Sequence, residues 1–249
     1  VILVRYERLY STSEIIVIGD RSGFKWAEVS QYNYIDGLVY DKLKRVRVLP
    51  SDLCTDAEFV RRLYLDLTGV PPTPDQVQAF LADHEDSRKK REGLIDYLIG
   101  QPEYIEYWTH KWADLLQSNR KFLGEKGVWL FRKWIYDSVA ENKPYDTFVR
   151  DLLMASGSAY QNPAANYHLA STDITIYQPD VAVENVTQLF LGIRFACAKC
   201  HAHPFEKWTQ KQYYELGSYF SEVGVKKGQL PDEQIIYNNY SVNGGVTVS

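Results

Sequence analysis

The chain has 249 residues, 28 Lys and Arg against 32 Asp and Glu, and a formal net charge of −4. Hydrophobic residues make up 45% and charged residues 24%, which excludes disorder, collagen-like repeats and low complexity and leaves ample length for a buried core. The mild acidity and a single basic run, Arg88-Lys89-Lys90-Arg91, argue against nucleic-acid binding, and no apolar run approaches the ~20 residues of a membrane-spanning helix.

The chain begins at Val1 with no initiator Met and no leader of a basic stretch followed by an apolar one, the expected look of a piece of a longer protein. Two β-branched runs, Val1-Ile2-Leu3-Val4 and Ile15-Ile16-Val17-Ile18, read as strands closed by turn residues at Gly19-Asp20 and Ser22-Gly23. Two strands cannot bury a core alone, so residues 1–29 read as the end of a preceding β module.

From about Asn33 the period becomes helical, with Ile35, Leu38, Val39, Leu43 and Val46 on one face. Thr55 and Glu58 predict a capping box for a helix that carries Phe59, Leu63 and Leu67 and closes near Gly69. Thr73-Pro74-Asp75-Gln76 predicts another start. Further helices follow on Leu94 to Ile99, on Tyr104, Trp108, Trp112 and Leu115, on Val128, Phe131, Ile135 and Val139, and on Phe148 to Leu153. Residues 158–178 are polar and aperiodic and read as a long, functional loop. A helix resumes at Pro179, with Val183, Val186, Phe190 and Ile193, and is expected to run into Cys197; Thr209 and Gln212 cap one more. Ile235 to Val248 has strand character around an Asn243-Gly244-Gly245 turn. The expected fold is mostly α, with roughly eight helices in residues 30–227 and short β segments at both ends, residues 228–249 leading onward.

Cys197-Ala198-Lys199-Cys200-His201 has the C-x-x-C-H spacing of covalent haem attachment. Cysteines three apart lie on one side of a helical turn, where both sulfurs reach the vinyl groups of one porphyrin, and the next His projects to the iron. His201 is then the proximal ligand, and its other ring nitrogen should donate to a carbonyl. Chance occurrence at this composition is on the order of 0.001. The rival uses of the same atoms are a zinc site on Cys197, Cys200, His203 and one further ligand, and a dithiol, for which the βαβ setting is missing.

Five segments in order, TDAEFVRRLYLDLTG from Thr55, PPTPDQVQAFL from Pro71, YIEYWTHKWADLL from Tyr104, NKPYDTFVR from Asn142 and CAKCHAHPFEKW from Cys197, resemble the planctomycete cytochrome c domain family, the second such domain, long described as a domain of unknown function. The resemblance runs from about Gln31 to Val225. It implies a c-type cytochrome-like multi-helix domain with one covalent haem c, outside the cytoplasm: periplasmic, on the cell surface or secreted. It also implies an Ig-like module upstream and another large domain downstream, and redox proteins and domains of the same chain as partners. The family pattern supports Cys197, Cys200, His201, His203, Pro204, Phe205, Glu206 and Trp208, and commonly has Asn where this chain has Ala202. Cofactor-binding candidates are therefore Cys197, Cys200, His201, His203, Phe205 and Trp208. No substrate is implied.

For a sixth iron ligand the candidates are His168, in the aperiodic stretch, and Met154, the only Met, whose apolar neighbours make core packing the better reading. His110 and His84 are weaker. His203, followed by Pro204, is better suited to a hydrogen bond near a propionate or to the chain. Trp108, Trp112, Trp129, Trp134 and Trp208 are expected mainly to fill the core. Asp66 and Asp114 are placed for buried ion pairs with Arg62 or Lys111, and Cys54 for a buried thiol. Three functions compete: an electron-transfer module, a haem enzyme of peroxidase or oxidase type with an open distal face, and a non-haem scaffold with a metal or disulfide site. The first is favoured because the motif and the family resemblance agree, and no paired catalytic carboxylates, Ser/His/Asp set or phosphate-binding glycine loop competes with it.

Overall fold

The computed structural model describes residues 2–6, 9–13, 15–173, 176–203 and 206–238. The chain divides into two compact units, Val1–Thr55 and Asp56–Ser249.

In the first unit, β1 (Ile2–Tyr6) pairs antiparallel with β2 (Leu9–Ser13), with Ile2 opposite Ser13 and Tyr6 opposite Leu9. The second strand is thus Leu9–Ser13 and not the expected Ile15–Ile18, which is irregular, with Val17 almost fully exposed. A ladder needs a partner, and of the two runs Leu9–Ser13 is the nearer to β1 in sequence and pairs with it at the lower loop-entropy cost. Helix α1 (Tyr34–Arg45) starts at Asn33, whose side chain accepts from the Ile35 and Asp36 amides in a capping box. Phe24, Trp26 and Tyr40 form a chain of tilted aromatic contacts beside it.

The second unit is mostly α. Helices α2 (Asp56–Thr68), α3 (Pro74–Ala82) and α4 (Ser87–Leu98) gather around Val60, Tyr64, Phe80 and Leu98. The Thr73/Gln76 capping box starts α3 as the sequence requires. Asp56 ties α2 to α4, receiving Lys90 at 2.7 Å and Arg91 at 2.6 Å, and Ser87 donates to it as well. These bonds hold the Asp56 carboxyl far below the usual carboxylate range, the Lys90 bond contributing most. A partly buried ion-pair network therefore forms here; Asp66 and Asp114, expected in buried ion pairs, are exposed because their helix positions face solvent. The basic run is neutralised residue by residue, since Arg88 pairs with Glu92 and Lys89 with Glu85.

The main core lies between α5 (Pro102–Leu115), α6 (Arg120–Ala140, with non-helical dihedrals at Gly124), α7 (Tyr145–Leu153) and α8 (Pro179–Leu191). Phe131, Ile135 and Leu152 are fully buried there, and Trp112 and Trp134 pack on Phe148. Trp129 is 63% exposed, so it is not part of that core. Met154, expected in the core, is 76% exposed: it is the residue that terminates α7, and Leu152 takes the inward position. Cys54 is only partly buried.

The stretch read as a loop is the largest departure. Gly157–Ser158 is strand β3, Pro163–Ser171 is a 3-10 helix, and Thr172–Asp173 (β4) pairs with Ile176–Tyr177 (β5). Ala159, Ala164, Ala165, Tyr167 and Leu169 belong to the core. Small residues let the segment pack closely, and the Asn166 carboxamide donates to the Ala159 and Pro163 carbonyls, satisfying backbone that no regular element covers.

Helix α9 (Gln210–Ser218) follows a 3-10 helix at Phe195–Lys199. Strands β6 (Val223–Lys227) and β7 (Gln234–Asn238) form a hairpin whose β7 also pairs with β3, in the order β3-β7-β6. The expected turn at Asn243-Gly244-Gly245 lies outside the described residues. Among the described residues no helix is long and apolar enough to cross a membrane.

Candidate functional site

The C-x-x-C-H segment does not continue α8, as the apolar spacing suggested. Gly192 adopts φ 67° and ψ 20° and caps α8 in the left-handed conformation, which glycine adopts without a side-chain penalty. The chain then turns into the 3-10 helix Phe195–Lys199, with Cys200 and His201 just beyond it.

Burial within this turn alternates with function. Phe195 and Ala198 point into a small core with Val183 and Tyr213, and Ala198 is completely buried. Cys197, Cys200 and His201 are exposed, and both cysteines are free thiols. His201 Nδ1 lies 2.7 Å from the Ala202 carbonyl oxygen. A carbonyl only accepts, so Nδ1 carries the hydrogen, and in the neutral ring the Nε2 lone pair is left for another partner. This is the carbonyl contact expected of a proximal ligand.

A polar clamp that local spacing could not reveal holds the turn. Lys199, the second variable residue of the motif, places Nζ 2.6 Å from Asp180 Oδ2 at the start of α8. Its carbonyl accepts from Gln210 Nε2 and from the Tyr214 hydroxyl on α9. Tyr213 donates its hydroxyl to Glu184 on α8 at 3.0 Å. Hydrogen bonding to Lys199 lowers the Asp180 pKa, and the same bond raises that of Lys199. Both side chains are about two-fifths exposed, so the pair contributes geometry more than stability. The only local sign was a lysine inside the motif; its partner lies nineteen residues earlier in the chain.

His203 is buried and serves its own loop: its amide donates to the Trp208 carbonyl at 2.8 Å, and its Nδ1 accepts from the Glu206 amide at 3.0 Å. Trp208 packs edge-on against Phe195 and donates Nε1 to Glu206. Phe205 and Pro204 lie outside the described residues. Among the described residues no three His, Cys, Asp or Glu side chains converge as a tetrahedral zinc site requires. Two exposed thiols and an imidazole whose Nε2 has no partner among the described residues, on one turn, fit what covalent haem asks of a protein.

The structure does not gather the other named side chains at this turn's hydrogen bonds. His168 is buried in the main core, its Nδ1 3.3 Å from the Tyr177 hydroxyl, with Tyr167 against its other side. Met154 is at the surface, and His110 and His84 are exposed. Burial pushes the His168 pKa down to about 4 from an ordinary 6.5, with backbone hydrogen bonds to Leu153 and Leu152 working against it. The unfolded chain therefore takes up this proton first as pH falls, and stability is lost through that window. From about pH 7 to pH 5 the loss is expected to be about 2 kcal/mol, read as a lower urea midpoint. Asp56 and Glu233, held below their ordinary 3.8 and 4.5, add their losses only at more acid pH. In His168→Gln the slope between those two pH values should be flat; an unchanged slope would assign the titration to another group.

The chain is thus a helical domain that presents an ordered Cys-x-x-Cys-His turn between α8 and α9. Residues 34–224 match the model of PSCyt2, described as a protein of unknown function (DUF1549), and the chain belongs to that family. The family name is that of a planctomycete cytochrome-like domain, consistent with the resemblance noted above. No curated protein and no solved structure matches the chain.

Proposed function

We propose that this chain is an electron-transfer module that carries one haem c, bound through thioethers to Cys197 and Cys200, with His201 as the proximal ligand. The observation that carries the reading is the turn itself: both thiols are exposed, and the histidine next in the chain has its Nδ1 already committed to the Ala202 carbonyl. Bound haem c supplies a reversible one-electron step at its iron.

The chain's own residues do the positioning. Ala198 roots the turn in the core, Lys199 is held by Asp180, and Gln210 and Tyr214 fix the carbonyl that precedes Cys200. Glu206, Trp208 and His203 order the loop that follows His201. Zinc is the weaker reading, since His203 Nδ1 already accepts from its own loop. Haem c chemistry places the protein outside the cytoplasm, with redox proteins and domains of the same longer chain as partners.

The test is an intact mass and a pyridine haemochrome spectrum of protein produced where c-type maturation is active. One added haem mass and haem-c bands are expected. An unmodified mass with no Soret band overturns the proposal.

A further inference from the structure

A second site lies in the same helical unit and shares no residue with the attachment turn. A cavity of about 490 Å³ opens between the end of α5, the 3-10 helix at Pro163–Ser171 and α8. That volume is in the range of small-ligand sites, roughly 300–1,000 Å³. Its walls hold three carboxamides, Gln117, Asn185 and Gln188, beside the indole of Trp112 and the phenol of Tyr167, with no charged side chain among them.

One detail beyond the lining points to an occupant. Gln117 sits at φ 56°, just past the end of α5, where its amide donates to the Asp114 carbonyl and that of Ser118 to the Ala113 carbonyl. That position favours glycine. Here it carries a carboxamide that lines the cavity, is exposed, and serves no other hydrogen bond among the described residues.

We infer that this cavity binds a neutral, polyhydroxylated ligand, a sugar unit. Carboxamides both donate and accept, as hydroxyl groups do, and aromatic rings suit the C–H faces of a sugar. The uncharged lining leaves a phosphate or carboxylate without a cation and an amine without an anion. The site stands independently of the haem reading.

Saturation-transfer NMR and calorimetry on the full chain test it, with cellobiose, maltose and N,N'-diacetylchitobiose as neutral probes, and glucuronate and adenine as charged and non-sugar comparators. At least one neutral disaccharide should bind, and glucuronate should not. Gln188→Leu and Gln117→Gly should each weaken that binding roughly tenfold. Gln117→Gly should also raise the melting temperature by relieving the left-handed backbone, so that lost binding cannot be put down to misfolding. No binding of any neutral disaccharide, binding of adenine alone, or binding unchanged in both variants would each overturn the inference.

Discussion

Gly69→Ala is expected to lower the stability of the helical unit by about 2–4 kcal/mol, the sum of a strained backbone and a steric overlap. Gly69 follows α2 at φ 72°, donating its amide to the Leu65 carbonyl. A Cβ built there would overlap the ring of Tyr107 on α5. The two costs are separable. Tyr107→Ser removes the overlap but leaves the dihedral, so the double variant should recover the steric part and retain a deficit of about 1 kcal/mol relative to Tyr107→Ser alone. For a unit of this size the single variant should melt on the order of 10 °C lower. A melting temperature unchanged in Gly69→Ala would mean that the α2–α5 contact is looser than its geometry requires.

The second large effect follows from the proposed haem attachment. Cys197→Ser with Cys200→Ser should abolish the covalent haem mass while leaving the fold intact, because both thiols are exposed and neither takes part in the small core beneath the turn. Each single variant should retain haem through one thioether and show a shifted haemochrome band. Far-ultraviolet circular dichroism separates loss of haem from loss of structure. A double variant that still carries covalent haem would exclude these cysteines as the attachment points.

Much of this molecule could be read from its residues, and the exceptions have physical causes. Helices with a strong apolar period, such as those bearing Phe131 and Ile135 or Val183 and Val186, fell where expected, as did the Thr73/Gln76 and Thr209/Gln212 caps. Local patterning reports a helix because the contacts that define it are three and four residues apart. The segment around Asn166 escaped because a 3-10 helix built from Ala and Asn carries no period and buries itself through side-chain bonds to its own backbone. The exposure of Met154 and the role of Asp56 turned on which neighbour a helix packs against, which spacing along one helix does not encode. In the candidate site the chemistry-bearing residues, Cys197, Cys200 and His201, were evident from spacing. The groups that hold them still, Asp180, Gln210 and Tyr214, come from two different helices and could not be seen before the helices were assembled.

The short pairing of β3 with β7 sets how this protein can be divided. Gly157 and Ser158 lie opposite Ile236 and Ile235, and Ser158 also donates its hydroxyl to Glu233. Everything between, including the Cys-x-x-Cys-His turn, is a closed excursion of the chain that leaves and returns through one clasp. The family match ends at residue 224, just inside β6, so a fragment cut at that boundary would lack the return strand and leave β3 unpaired. The matched segment and the folded unit thus have different ends, and a fragment made to fold by itself must carry residues 225–238 with it.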